Sequence, residues 1–242
     1  MKKALVCLVA VLLIPACGKQ SLVPDTPHEQ YEEAVSKSIP DSRIFTEAPK
    51  NPDPKERYIF YLHGRIIEEE GAEAVSPEFG KYEYFEILEA LADRGFTVIS
   101  EVRAKNTDVK QYAQKVADQV NGMLKAGVPP GNITVAGASK GGAITHRISS
   151  VLHNKDVNFV LLASCGEGYH EGFDIDLVGN VLSVYDYKDN KGAGSCADFF
   201  AKSKGLNKRK EIELKIGLGH GILYKPMEEW VEPTIAWASG KY

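Results

Sequence analysis

The sequence predicts an α/β fold built on a mostly parallel sheet flanked by helices. Three observations carry this expectation. From Arg57 onward, short apolar runs alternate with amphipathic stretches, the order of parallel strands joined by crossover helices. Val157–Ala163 is an almost unbroken apolar run, as expected of a strand buried on both faces. The 242 residues are 43% hydrophobic and 26% charged, a globular balance that excludes a disordered chain, a collagen and a multi-span membrane protein.

The chain opens on Met1-Lys2-Lys3, followed by the mostly apolar run Ala4–Ile14. This is the layout of a secretory signal, too short for a permanent membrane span of about 20 residues. Ile14-Pro15-Ala16-Cys17 resembles a bacterial lipobox. That resemblance implies cleavage before Cys17, lipidation of Cys17, and a domain held at a membrane from the periplasmic or extracellular side. Gly18, in place of Asp, implies no inner-membrane retention signal in a two-membrane bacterium. Residues 1–16 are thus read as the signal peptide, 17–56 as a lipidated tether and leader, and 57–242 as the folded domain. Cleavage would remove Lys2 and Lys3 and shift the formal net charge from −4 to −6. With 29 basic against 33 acidic residues, the chain has no footprint for nucleic acid. The membrane is an expected partner.

The leader is polar, with a short helix expected near His28–Ser36, and Asn51-Pro52-Asp53-Pro54 is a turn that ends it. Tyr58–Leu62 is an apolar, aromatic strand. Arg65–Gly80 is an insert, and its Glu68-Glu69-Glu70 run reads as a solvated loop. Phe79–Arg94 is helical, with Phe85, Leu88 and Ala92 on one face, and Gly95 caps it. Phe96–Ser100 is a strand. Asp108–Ala126 is the clearest helix, its apolar residues recurring at three- and four-residue steps until Gly127 and Pro129-Pro130. Ile133–Gly137, Val157–Ala163, Val181–Tyr185 and Ile212–Leu218 are strands. Gly141–His153, Cys196–Lys204 and Pro226–Ser239 are helices.

Gly137-Ala138-Ser139-Lys140-Gly141 fits Gly-x-Ser-x-Gly. The string alone is a weak signal, but it follows a strand and opens a helix, the setting in which a strained elbow exposes a serine hydroxyl. A phosphate-binding turn would share the glycines, yet the chain shows neither a Walker pattern nor a dinucleotide fingerprint. A serine needs a base. His220, in Gly-Leu-Gly-His-Gly after the last strand, is preferred to His170, a loop residue in Gly168-Tyr169-His170-Glu171-Gly172 that is expected to touch substrate. The base needs a carboxylate. Asp189 is preferred for its reach beyond the strand Val181–Tyr185, with Asp186 the alternative. Lys140 supplies one oxyanion donor through its backbone N–H. The second is assigned to the N–H of Arg65 in Tyr61-Leu62-His63-Gly64-Arg65, the alternative being that its guanidinium meets an acidic substrate; His63 and Gly64 are expected to touch substrate, the alternative being a tight turn.

Taken together, His63-Gly64 after a strand, the Ser139 elbow, Asp189 and the late His220 resemble the α/β-hydrolase superfamily. The resemblance runs from about Arg57 to Tyr242. It implies a mostly parallel sheet with the serine at a strand's C-terminal end, and a serine esterase working through an acyl-enzyme on a small ester or acyl substrate, as a monomer. An amide or peptide bond is a second possible target. A non-catalytic binding lipoprotein and an acyltransferase are the alternative readings. The usual first two strands are not evident before Arg57, so the sheet is expected to be reduced, without a large cap domain. No metal or organic cofactor is expected. After signal cleavage and lipidation, Cys165 and Cys196 remain as a disulfide candidate in an oxidising compartment. It would close a loop of roughly 30 residues, contributing about 3–4 kcal/mol.

Overall fold

The structure is a computed structural model that describes residues 43–166, 174–189 and 193–242. Its strands are β1 (Ile44–Phe45), β2 (Tyr58–Leu62), β3 (Val75–Ser76), β4 (Gly80–Lys81), β5 (Thr97–Ile99), β6 (Ile133–Ala138), β7 (Asn158–Leu162), β8 (Val178–Asp186) and β9 (Gly205–Leu214). The helices are α1 (Arg65–Glu70), α2 (Tyr84–Ala92), α3 (Val109–Lys125), α4 (Lys140–Leu152), α5 (Ala197–Lys202) and α6 (Glu228–Ala238). Seven strands form one sheet in the order β1-β5-β2-β6-β7-β8-β9, and every pairing in it is parallel. Short β3 and β4 make a separate antiparallel ribbon inside the insert.

The period-2 pattern of the central strands divides the core into two layers. Ile59 and Tyr61 of β2, Val98 of β5 and Leu182 of β8 pack with Leu88 and Leu91 of α2 and Trp230 and Trp237 of α6. Tyr58, Phe60 and Leu62 of β2, with Val135 of β6, face the other way, onto Val116 and Val120 of α3 and Ile144 and Ile148 of α4. Both faces of the sheet are therefore covered, which is why β2, β6 and β7 carry no polar alternation. Helix α3 starts where Asp108 accepts a hydrogen bond from the N–H of Gln111, a side-chain N-cap.

Three expectations need correction. The fold begins before Arg57: Ile44 and Phe45 pair with Val98 and Ile99, and Ile44 is buried. Strand β9 starts at Gly205, seven residues before the expected strand Ile212–Leu218. Glu68-Glu69-Glu70 is the last part of α1 rather than a loop, and Glu68 is buried. The short helix expected near His28–Ser36 lies outside the described residues, as does Cys17.

Candidate active site

The cleft lies at the C-terminal ends of the parallel strands, where connecting loops carry the side chains. Strands β2 and β6 are neighbours, with Leu62 opposite Gly137, so the segment after β2 meets the elbow after β6. Ser139 sits between β6 and α4 with φ 54° and ψ −117°. A side chain in that region is strained and needs surrounding structure to hold it. The Ser139 N–H donates to the Leu162 carbonyl of β7, at 2.9 Å, and the Ser139 carbonyl accepts from Ala143 at 3.0 Å. The turn also needs Gly141, since a Cβ there would lie 1.8 Å from the Leu62 carbonyl oxygen.

His220 follows β9, in a 3-10 turn spanning Gly219–Tyr224. Its Nδ1 is 2.7 Å from Oδ2 of Asp189, which follows β8, and both side chains are shielded from solvent. The glycine before it serves close approach: Gly219 has φ 56°, and a Cβ would lie 2.8 Å from the Lys188 carbonyl oxygen. Ser139 and His220 line one cleft of about 670 Å³.

Asp186, the alternative carboxylate, is committed elsewhere. It accepts from the N–H groups of Lys188 and Gly219 on Oδ1 and of Ile216 and Gly217 on Oδ2, all within 3.0 Å. Burial pushes this carboxyl up, but the four N–H bonds outweigh burial and hold it below the usual aspartate range. Asp186 thus ties the segment that carries Asp189 to the segment that carries His220.

Gly64, Arg65 and Lys140 also line the cleft. Arg65 and Lys140 are the first residues of α1 and α4, so their N–H groups have no acceptor within their own helices. His63, expected to touch substrate, is wholly buried and is not among the residues that line the cleft. Its Nε2 accepts from the Arg103 N–H at 3.0 Å, and its Nδ1 lies 2.8 Å from the Gly64 carbonyl. Burial and the neighbouring Arg103 charge hold its pKa well below the usual histidine value, so the ring is neutral and Nδ1 is the donor. The Gly64 carbonyl and the Arg65 N–H share one planar peptide, so this bond fixes the direction of both. His170 lies outside the described residues.

Phe79 and Tyr82 line the cleft, and both pack on Tyr224 at ring-centroid distances of 5.0 Å. Tyr84 is buried in the core instead. Cys165 and Cys196 form a disulfide, with Cα atoms 5.1 Å apart, joining the segment after β7 to the start of α5. His146 of α4 packs on it, with Nε2 3.4 Å from the Cys165 Sγ.

The sequence reading missed Glu68 and Arg103. Arg103 follows β5, and its side chain is buried with that of Glu68, Nε to Oε2 at 3.3 Å. An arginine four residues after an apolar strand offers little sequence signal for such a role, because most arginines are solvated.

No protein-family model matches the sequence, and no curated protein sequence matches it. Solved structures do resemble it. SOBER1 from Arabidopsis thaliana superposes with a TM-score of 0.51 at 13% identity, over 77% of this chain and 99% of that one. The alpha/beta hydrolase domain-containing protein 10 from mouse superposes with a TM-score of 0.52 at 12% identity, over 78% of this chain and 90% of that one. With its parallel sheet covered on both faces and its elbow serine after β6, the chain has the α/β-hydrolase fold.

Proposed function

We propose that the protein is a serine hydrolase of carboxylic esters that works through an acyl-enzyme, exported and lipid-anchored at Cys17. One observation supports the chemistry above all. A serine forced to φ 54° shares a cleft with a histidine whose far nitrogen is hydrogen-bonded to a buried carboxylate. Strain at a non-glycine residue and a shielded His–Asp pair are both costly, and together they suit nucleophilic catalysis.

In this reading Asp189 accepts a hydrogen bond from His220 Nδ1–H, which leaves Nε2 unprotonated as the base. Nε2 takes the Ser139 hydroxyl proton as Oγ bonds to the ester carbonyl carbon. The carbonyl oxygen becomes an oxyanion held by the N–H groups of Lys140 and Arg65. When the tetrahedral species collapses, the C–O bond to the alcohol breaks and His220 returns the proton to the leaving oxygen. Water, deprotonated by His220, then releases the acid from Ser139. Phe79, Tyr82, Leu223 and Tyr224 give the cleft an apolar wall, and Arg65 and Glu69 place charge along it.

A fluorophosphonate probe tests the reading. The wild-type protein is expected to label and to cleave short-chain p-nitrophenyl esters, and Ser139→Ala to do neither. A folded wild-type protein that neither labels nor cleaves any ester of a graded panel would end the hydrolase reading. The anchor is tested separately by palmitate incorporation in a bacterial host, expected for the wild-type chain and lost in Cys17→Ala.

A further inference from the structure

Beneath the cleft lies a charged cluster that the proton transfers do not use. Glu68 on α1 is buried, with its side chain 2% exposed. Its Oε1 accepts from Lys140 Nζ at 2.5 Å and from the Thr107 N–H at 3.0 Å, and its Oε2 accepts from Arg103 Nε at 3.3 Å. Lys140 Nζ donates a second bond to the Thr107 carbonyl at 3.0 Å. Arg103 Nη2 reaches the His63 carbonyl at 2.5 Å, and its guanidinium lies 5.5 Å from the Tyr112 ring centroid.

The connectivity gives the cluster its meaning. Glu68 stands one helical turn after Arg65, whose N–H is one assigned oxyanion donor. Lys140 carries the other donor on its own backbone. The Glu68–Lys140 ion pair therefore joins the two halves of the oxyanion site by a direct side-chain contact. The helix that carries Arg65 and Glu68 is only six residues long. A buried carboxylate bound by two cations and a backbone N–H is costly to desolvate and rigid once formed, which suits registration better than stability.

We propose that Glu68 and the Lys140 side chain are positioning residues that set the spacing of the Arg65 and Lys140 N–H groups around the oxyanion. The inference rests on the serine-hydrolase reading above. Misplacing one of two oxyanion donors should approach the effect of removing it, about 100- to 1,000-fold in kcat, so partial misalignment should cost about 10- to 100-fold.

The test uses Glu68→Gln, Lys140→Met and the double variant with p-nitrophenyl acetate, rates being normalised to the fraction of active sites that a fluorophosphonate titrates. Each single variant is expected to lose about 10- to 100-fold in kcat with KM within about threefold. The double variant is expected to be little worse than either single one, as for two residues acting as a unit. Affinity for a trifluoromethyl ketone, which adds to Ser139 as an oxyanion, should fall by the same factor as kcat.

Electrostatics alone predicts opposite signs. Glu68→Gln would make the region more positive and favour the oxyanion, and Lys140→Met would do the reverse. A fall in both variants thus supports registration, and a rise in Glu68→Gln overturns it. A purely structural role would lower the melting temperature and leave kcat per titrated site and ketone affinity unchanged, which also overturns it. Should Glu68→Gln fail to fold, Glu68→Asp decides: it keeps the charge, so electrostatics alone leaves kcat unchanged, whereas the shortened reach to Lys140 lowers kcat under registration, and an unchanged kcat overturns the proposal. A wild-type protein that neither labels nor turns over overturns the hydrolase reading itself, an outcome distinct from active variants with wild-type constants.

Discussion

Replacing Ser139 by glycine should give a more stable protein than replacing it by alanine, with both variants inactive. Ser139 sits at φ 54° and ψ −117°, where an L side chain crowds its own backbone and glycine does not. Strain of this kind costs about 1–3 kcal/mol. Glycine gives back about 0.5–1 kcal/mol through the greater freedom of the unfolded chain. The net gain for Ser139→Gly over Ser139→Ala is therefore about 0.5–2 kcal/mol. The comparison with alanine matters, because both variants lose the hydroxyl and its contacts and only one loses the Cβ. In a domain of this size each kcal/mol moves the midpoint by about 2–4 °C, so glycine should melt about 1–8 °C above alanine. Differential scanning calorimetry of the two purified variants measures this directly. A Ser139→Gly midpoint at or below that of Ser139→Ala would refute the claim that strain is stored at the elbow.

Other perturbations separate the supports of the site. Gly141→Ala should be destabilised by about 1–3 kcal/mol or more, read by urea unfolding, because a Cβ 1.8 Å from the Leu62 carbonyl meets backbone that cannot turn aside. Replacing both Cys165 and Cys196 by Ala opens a crosslink 31 residues apart, and the midpoint should fall by the equivalent of about 3–4 kcal/mol in the chain-entropy account. The carboxyl of Asp186 titrates below its unfolded value, so its stabilisation is complete above the unfolded aspartate pKa and drains away as pH falls through the folded one. Urea midpoints of the wild type should therefore fall on acidification below about pH 4, more steeply than those of Asp186→Asn. An equal slope in both would count against the four N–H bonds.

Much of the fold was legible because its centre is apolar on both faces. β2, β6 and β7 announce themselves as apolar runs, and α3 as a three-and-four periodicity ended by glycine and proline. What escaped reading lies at the margins. β9 begins Gly205-Leu206-Asn207-Lys208-Arg209-Lys210, mostly exposed and without an apolar face, so no periodicity marks it. Two-residue β1 is too short for any pattern. At the site, the elbow is visible because its chemistry is local in sequence. The division of labour between Asp186 and Asp189 is not, since four of the bonds that distinguish them come from segments up to 33 residues away. Glu68 reads as solvated for the same reason: its partners Arg103 and Lys140 are 35 and 72 residues distant.

The two borders of the main sheet also bear on how copies of this chain can meet. At one border, β1 is two residues long among the described residues. At the other, β9 shows Lys208, Arg209 and Lys210 in succession to solvent. A visiting strand would find too little backbone to pair with on the first side and concentrated like charge on the second. Growth of the sheet from one molecule into the next is thus discouraged at both borders of the described sheet.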